Sequence, residues 1–249
     1  MRILDNLRNI SNIRYFSNVN KGVRPFLLSE IKNIYSKKNV LVILDNNNEI
    51  NHYYNLFKNF FNLQNILKFP SWDSIPYEEV SPSQNILNDR FQSFNKFKNK
   101  NSIQDSFLLL TNLDAFIQLI PSKSYLTNNY LSIKLNENLS LEEFNSKLSN
   151  EGYERVSVVL EPLEYAVRGG MIDVWPVGDE YPIRIDFYGN NIESIRAFNP
   201  ISQITIKKLE AAIISGSIES PKSKAFNKIF IENYRNLFGP SVNKELFVH

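Results

Sequence analysis

The chain has 249 residues, a formal net charge of +2 and 43% hydrophobic residues. This size and composition predict a folded protein of two domains, or of one domain with a large insertion. Cysteine is absent and the only histidines are His52 and His249, which excludes disulfides, thiolate catalysis and metal sites that need cysteine or several histidines.

Residues 1–121 alternate helix and strand signals. Val40–Leu44 is a continuous apolar run followed by Asp and Asn, as in a buried parallel strand that leads into a capped helix. Similar apolar runs occur at Ile66–Phe69 and Phe107–Thr111. Helical spacing of apolar residues is found around these runs, at 26–35, 53–61, 82–94 and 112–120. The alternation predicts a parallel sheet covered by helices.

Residues 122–205 carry shorter and more closely spaced signals. Tyr130–Leu135 alternates polar and apolar residues, and Ser140-Leu-Glu-Glu143 is a capping box that predicts a helix over Leu141–Leu148. The alternation that follows predicts strands, with a hairpin at Gly189-Asn190-Asn191. The expected strand ranges are 155–160, 165–167, 172–174, 183–188 and 192–198. This segment is predicted to be a small antiparallel α+β domain.

Residues 206–249 return to the first pattern. Ala211–Ser215 is a continuous apolar run, and Pro221 precedes a helical spacing of aromatic and aliphatic residues. The sequence therefore predicts an α/β fold in which an incomplete parallel-sheet domain, formed by 1–121 and 206–249, is interrupted by an inserted α+β domain at 122–205.

The predicted α/β part lacks the residues of a nucleotide site. A phosphate-binding loop needs several glycines and a lysine, whereas Gly22 is the only glycine before Gly152. No Gly-x-Ser-x-Gly turn occurs, and His52 lies in an aromatic-rich helical stretch. We predict no catalytic residue, no metal and no cofactor, so the chain is expected not to be an enzyme.

The sequence also gives expectations about location. No apolar run approaches the roughly 20 residues that cross a membrane, and residues 1–12 lack the apolar centre of a signal peptide. We therefore expect a cytoplasmic protein with no membrane contact. The near-neutral charge gives no reason to expect strong nonspecific binding to DNA.

The predicted strand at 183–188 in the inserted domain has the clearest binding pattern. Its odd positions are apolar, so Arg184, Asp186 and Tyr188 point together to the opposite face. Arginine, carboxylate and aromatic side chains are enriched at binding hot spots, and Arg168 and Arg155 are available to extend the patch. The pattern leaves open the alternative of a solvated face with Arg–Asp pairs inside the chain.

Two long strings resemble one known family. The first string is Phe69-Pro-Ser-Trp-Asp-Ser-Ile-Pro-Tyr77, continuing through Ser81-Pro82 to Asp89-Arg90. The second is Glu164-Tyr-Ala-Val-Arg-Gly-Gly-Met-Ile-Asp-Val-Trp-Pro176, followed by Arg184-Ile-Asp-Phe-Tyr188 and Ile192-Glu-Ser-Ile-Arg196. Together they resemble the N-terminal region of the bacterial transcription-repair coupling factors, over about residues 39–240.

The resemblance implies a fold and a partner. It implies a UvrB-like α/β domain, P-loop-like but degenerate because the ATP-binding loop is lost, and an inserted domain that binds the excision-repair protein UvrA. Arg168, Arg184 and Tyr188 match positions that contact UvrA in the family, and Arg155 and Asp186 match positions implicated on the related UvrB surface. The implied function is the recruitment of UvrA to stalled transcription complexes for nucleotide excision repair.

The family also differs from this chain in length. Its members are several times longer and carry a motor ATPase and an RNA-polymerase-binding domain, so we expect a fragment, a frameshifted product or a split gene. Those domains are expected as further partners, and contact with DNA is expected to be weak or indirect. A fragment of a UvrB-type ATPase/helicase and a DNA-binding module stay open as alternatives. Under the leading hypothesis, charge reversal at Arg184, or Tyr188→Ala, is expected to abolish UvrA capture without unfolding the protein.

Overall fold

The computed structural model describes residues 16–74, 82–98, 106–128, 130–216, 218–219 and a few single positions between 228 and 239. The described part is a mixed α/β fold with three sheets. Most residues of the helix predicted after Pro221 lie outside the described residues. The same is true of residues 75–77 in the first family string and of residues 1–12 at the start of the chain.

The first sheet is parallel and has three strands, in the order β1-β3-β2. Its strands are β1 (Val40–Leu44), β2 (Ile66–Phe69) and β3 (Leu108–Asn112). The helices around it are α1 (Arg24–Ile34), α2 (Asn47–Asn59), α3 (Gln84–Lys98) and α4 (Leu113–Ile117). The prediction of a parallel sheet from these three apolar runs is confirmed.

Side-chain caps start two of these helices directly after strands. The Asn46 side chain accepts a hydrogen bond from the Glu49 N–H at the start of α2, and Asn112 does the same for Ala115 at the start of α4. Such caps satisfy an N–H that has no partner inside the helix. α2 then buries Ile50, whose side chain is 1% exposed, against one face of the parallel sheet.

The second sheet has six strands, in the order β10-β9-β8-β7-β6-β5. They are β5 (Glu154–Arg155), β6 (Glu164–Arg168), β7 (Met171–Val174), β8 (Ile183–Tyr188), β9 (Asn191–Phe198) and β10 (Thr205–Leu209). All neighbours are antiparallel except β5 and β6. The predicted hairpin is confirmed, since Tyr188 pairs with Asn191 across Gly189, whose φ of 58° suits glycine.

The strand that was predicted over 155–160 is wrong beyond its first residue. β5 ends at Arg155, and the N–H groups of Leu160 and Glu161 donate to the Glu164 carboxylate at 2.7 and 2.8 Å. Those backbone donors are satisfied by a side chain, so they do not need a neighbouring strand.

The third sheet pairs β4 (Tyr130–Lys134) with β11 (Ala211–Ser215) in antiparallel fashion. Two helices accompany this part, α5 (Lys123–Asn128) and α6 (Leu141–Asn150). The capping box is confirmed, because the Ser140 hydroxyl accepts from the Glu143 N–H at 3.1 Å. The expectation that Ala211–Ser215 rejoins the parallel sheet is wrong, since an apolar run does not specify its pairing partner. The division at residues 121 and 205 stays a prediction.

One apolar core is shared by the parallel and the six-stranded sheets. It takes Phe69 from β2 and Phe94 from α3, and continues without a break into Ile172, Ile185 and Ile195 of the six-stranded sheet. α6 packs on the same side, since α6 contributes buried residues to this core. The six-stranded sheet therefore has one face turned to this core, and we call the opposite side the outer face.

A buried arginine links the beginning and the end of this core region. The Arg90 side chain is fully buried and pairs with the Glu219 carboxylate at 2.5 and 2.8 Å. It also donates to the Pro70 carbonyl at 2.8 Å, and its guanidinium lies 4.2 Å from the centre of the Phe69 ring. The first family string thus supplies both the arginine and the aromatic and carbonyl groups that hold it.

Candidate functional site

Strand register and alternation place four of the five sequence-predicted residues, Arg168, Arg184, Asp186 and Tyr188, on the outer face. Residues that are paired directly across antiparallel strands point to the same side of a sheet. One row of paired residues is Ala166, Asp173, Arg184, Arg196 and Lys208. The next row is Arg168, Met171, Asp186 and Ser194. Tyr188 follows core-facing Phe187 on β8, so it also points to the outer face.

Arg184 is held by a buried carboxylate on the neighbouring strand. Its Nε and one terminal nitrogen donate to the two Asp173 oxygens at 2.6 and 2.8 Å. The Asp173 side chain is 2% exposed and that of Arg184 is 18% exposed. The hydrogen bonds from Arg184 to Asp173 raise the pKa of the arginine further, against the lowering effect of burial. Arg184 therefore keeps its charge, and it is the partner of a carboxylate that has almost no access to water.

Arg184 also contacts the loop that joins β9 to β10. The same terminal nitrogen donates to Oε1 of Gln203 at 2.8 Å. The guanidinium lies 4.5 Å from the centre of the Phe198 ring, and Phe198 is buried beneath it on the outer face. The cation therefore connects three elements, which are β7, β8 and the loop at 199–204.

Asp186 is paired inside the chain as well. It accepts a hydrogen bond from Arg196 on β9 at 2.5 Å and another from the Ser194 hydroxyl. These side chains are partly exposed, 24% for Asp186 and 31% for Arg196. The alternative of Arg–Asp pairing within the chain thus holds for both carboxylates, although Arg184 takes Asp173 and leaves Asp186 to Arg196.

Tyr188 and Arg168 are the accessible members of the predicted set on the outer face. Tyr188 is 79% exposed at the end of β8. Arg168 is exposed at the end of β6, where its guanidinium donates two hydrogen bonds to the Ser157 carbonyl at 3.0 and 3.2 Å. That contact fixes the direction of the Arg168 side chain and leaves its remaining donors to solvent.

Arg155 does not share this face. It is exposed on β5, where it pairs with Tyr165, and Tyr165 points into the core. Paired residues have the same orientation, so the Arg155 side chain leaves from the core side of the sheet edge. The structure thus brings four of the five predicted residues to one face and places Arg155 elsewhere.

The pattern of β8 alone could not identify the partners of its charged residues. Asp173 follows buried Ile172 and precedes buried Val174, which marks it as outward-facing, but its burial depends on the arginine of the next strand. Gln203 lies in a loop without periodicity. Arg196 had a detectable signal, since it alternates with Ile195 and Ala197 on a predicted strand.

At the carboxyl ends of the parallel strands, three side chains bind one another. The Asn112 amide donates to Asn47 Oδ1 and to Ser71 Oγ, each at 2.9 Å. The Asn47 amide donates to the Ser71 carbonyl at 2.9 Å and its Oδ1 accepts from the Ser71 N–H at 3.0 Å. Ligands of open α/β sheets bind at this edge, and here the three polar side chains hydrogen-bond to one another.

Within the part of the chain that the structure describes, no group of three or more His, Asp or Glu side chains is arranged to hold a metal ion. Every helix in the same part is too short or too polar to cross a membrane.

Comparison with known proteins gives one family match and a consistent set of relatives. Residues 131–219 match the UvrB interaction domain. The transcription-repair-coupling factor of Haemophilus influenzae is 32% identical over 176 residues, which are 71% of this chain and 15% of the relative.

Two further transcription-repair-coupling factors match over a longer stretch. Those of Escherichia coli and Rickettsia bellii are 29% and 30% identical over 212 residues, which are 85% of this chain and 18% of each relative. The chain thus spans less than a fifth of the length of these relatives. The matched domain includes the whole outer face described above.

Proposed function

We propose that this chain has a docking function, because residues 131–219 match the UvrB interaction domain and most of the chain resembles the transcription-repair coupling factors. The chain recruits UvrA to stalled transcription complexes in nucleotide excision repair, in the cytoplasm. The motor and RNA-polymerase-binding domains of such a machine are its further partners, and its own contact with DNA is weak or indirect.

The observation that carries the proposal is the composition of the outer face. Tyr188 is 79% exposed, and Arg168, Asp186 and Arg184 lie on the same face in two adjacent rows. Tyrosine and arginine are the residues most enriched where a protein interface contributes its binding energy. Asp173 already orders the side chain of Arg184, and Asp186 orders that of Arg196. A partner therefore binds cations that are already ordered, which lowers the entropic cost of binding.

The edge of the parallel sheet supports a docking role over an ATPase role. A nucleotide at this edge needs backbone N–H groups that can approach its phosphates. Here the side chains of Asn47, Ser71 and Asn112 hydrogen-bond to one another, and no glycine lies between Gly22 and Gly152 to let a backbone approach phosphates. A P-loop-like origin of this domain, with the loop lost, fits that arrangement.

The test is UvrA capture by the purified 249-residue chain and by two aromatic variants. Tyr188→Ala removes the exposed ring of the outer face, and Phe60→Ala removes a ring of matched exposure, 79% against 78%, at the end of α2. We expect Tyr188→Ala to lose UvrA and Phe60→Ala to retain it, with unchanged circular dichroism for both. Equal capture by Tyr188→Ala and the unmodified chain would show that the outer face is not the docking surface.

Two titrations separate the alternative classes. Measurable ATP affinity in calorimetry would favour a UvrB-type ATPase fragment. DNA affinity that falls steeply with salt concentration would favour a DNA-binding module, whereas the net charge of +2 predicts little such binding.

The expectation for charge reversal at Arg184 needs a correction. A glutamate at this position would lie beside the Asp173 carboxylate, which is 2% exposed, and would add a second negative charge without a counter-ion. We therefore expect such a variant to lose stability, and the clean test of docking is made at the exposed residues Tyr188 and Arg168.

A further inference from the structure

We propose that the loop at 199–204, between β9 and β10, is the apolar half of the docking surface, and that its partner presents an apolar patch bordered by carboxylates. This inference rests on the proposed function and adds residues to it. It assigns Ile201 and Ile204 as contact residues and Gln203 as a positioning residue.

The loop exposes two large apolar side chains next to the outer face. Ile201 is 90% exposed and Ile204 is 67% exposed. The loop follows Phe198 and precedes Thr205, which pair with each other at one end of the six-stranded sheet. Tyr188 lies at the other end of β8, four residues beyond Arg184 or roughly 13 Å along the strand. The isoleucines and the tyrosine therefore bracket the arginines.

Hydrogen bonds within the loop hold its shape. The Asn199 side chain accepts from the N–H groups of Ile201 and Ser202 at 3.0 and 2.9 Å. The Asn199 N–H donates to the Ile204 carbonyl at 2.9 Å, and the Gln203 N–H donates to the Asn199 carbonyl at 2.8 Å. The isoleucines are thus not needed to fold the loop, yet they are displayed in a fixed position, which lowers the ordering cost of binding.

Gln203 connects this loop to the arginine of the outer face. Its Oε1 accepts from Arg184 at 2.8 Å and its Nε2 donates to the Pro200 carbonyl at 2.7 Å. Its backbone has a φ of 59°, which a residue other than glycine adopts only when its surroundings enforce it. Arg184 therefore places the loop as well as neutralising Asp173.

Charge defines the chemistry of the partner. The two rows of paired residues hold four cations, Arg168, Arg184, Arg196 and Lys208, and two carboxylates, Asp173 and Asp186. Within these two rows, four minus two leaves a net charge of +2. A protein surface that covers it needs carboxylates opposite the arginines and an apolar patch opposite the isoleucines.

The test is a calorimetric titration of the 249-residue chain with UvrA of the same organism. The double variant Ile201→Ser, Ile204→Ser is compared with Leu119→Ser, which changes a side chain that is 95% exposed elsewhere. We expect the double variant to bind UvrA at least about tenfold more weakly than the unmodified chain. Leu119→Ser is expected to bind as the unmodified chain does. An affinity of the double variant within about twofold of the unmodified chain overturns the inference.

The same titration separates this inference from the proposed function. If Tyr188→Ala loses UvrA while the double isoleucine variant keeps it, the loop is not part of the surface and the docking function stands. If the unmodified chain does not bind UvrA, both are overturned.

The positioning role of Gln203 has its own readout. Gln203→Ala removes the acceptor for Arg184 and is expected to weaken UvrA binding several-fold, about threefold to tenfold. Gln203→Glu keeps an acceptor oxygen for Arg184 but loses the hydrogen bond to the Pro200 carbonyl, so it should restore part of the affinity. Equal weakening by the two variants, or full affinity of Gln203→Ala, overturns the positioning role.

Discussion

Replacement of Arg184 by methionine tests whether this arginine stabilises the sheet. The change keeps an unbranched side chain but leaves the Asp173 carboxylate, which is 2% exposed, without its two charged hydrogen bonds. Removing one partner of a buried ion pair costs about 3–5 kcal/mol. Since the Arg184 side chain is 18% exposed, water offsets part of the loss, and we expect the free energy of unfolding to fall by about 3 kcal/mol.

A double-mutant cycle isolates the interaction between the two side chains. Asp173→Asn alone is expected to cost about 1 kcal/mol, because the arginine left behind can reach water. The double variant should cost less than the sum of the single variants by about 2 kcal/mol. Urea unfolding followed by the fluorescence of Trp72 and Trp175, the two tryptophans, measures each free energy. A coupling energy below about 0.5 kcal/mol would refute the assignment.

The double variant also separates stability from partner contact. It lacks the arginine but should cost about 2 kcal/mol, against about 3 kcal/mol for Arg184→Met alone, so it recovers about a third of the lost stability. If UvrA capture stays absent in the double variant, Arg184 contributes to binding directly or through the loop it holds. If capture returns with the stability, the arginine acts on the fold alone, and the binding energy comes from the exposed residues.

Two further substitutions test other parts of the fold. Arg90→Met leaves Glu219, which is 7% exposed, without its partner and should lower the free energy of unfolding by about 4 kcal/mol. Urea unfolding measures this free energy. A loss under about 1 kcal/mol would contradict the buried pairing. Ser140→Ala removes the cap of α6 and should cost about 1 kcal/mol in the same assay. Its control is Ser146→Ala within α6, where the hydroxyl donates to the Glu142 carbonyl, and equal losses in both would argue against a capping role.

Local pattern was sufficient for the elements that depend on local chemistry. The three parallel strands were predicted from apolar runs bounded by polar residues, and α6 from the cap at Ser140. The alternation of β8 correctly separated its core-facing residues from Arg184, Asp186 and Tyr188. Period and capping are properties of neighbouring residues, so they can be read from a single segment.

Pairing between distant segments could not be predicted in the same way. β11 was expected in the parallel sheet but pairs with β4, because both arrangements satisfy the same apolar run. β10 was not predicted, since its mostly exposed residues at the sheet edge carry two lysines and no alternation. Asp173 depends on an arginine eleven residues later in the chain, so its burial follows from the register of two strands.

The shared core fixes the orientation of the outer face relative to the parallel sheet. Packed side chains run without a break from β2 and α3 to the six-stranded sheet, and close packing resists sliding and compression. A partner bound at Tyr188, as we propose, is therefore held at a constant distance and angle to the parallel sheet. The contact of Phe69 with Phe94 and that of the Arg90 guanidinium with the Phe69 ring belong to the packing that joins the two sheets.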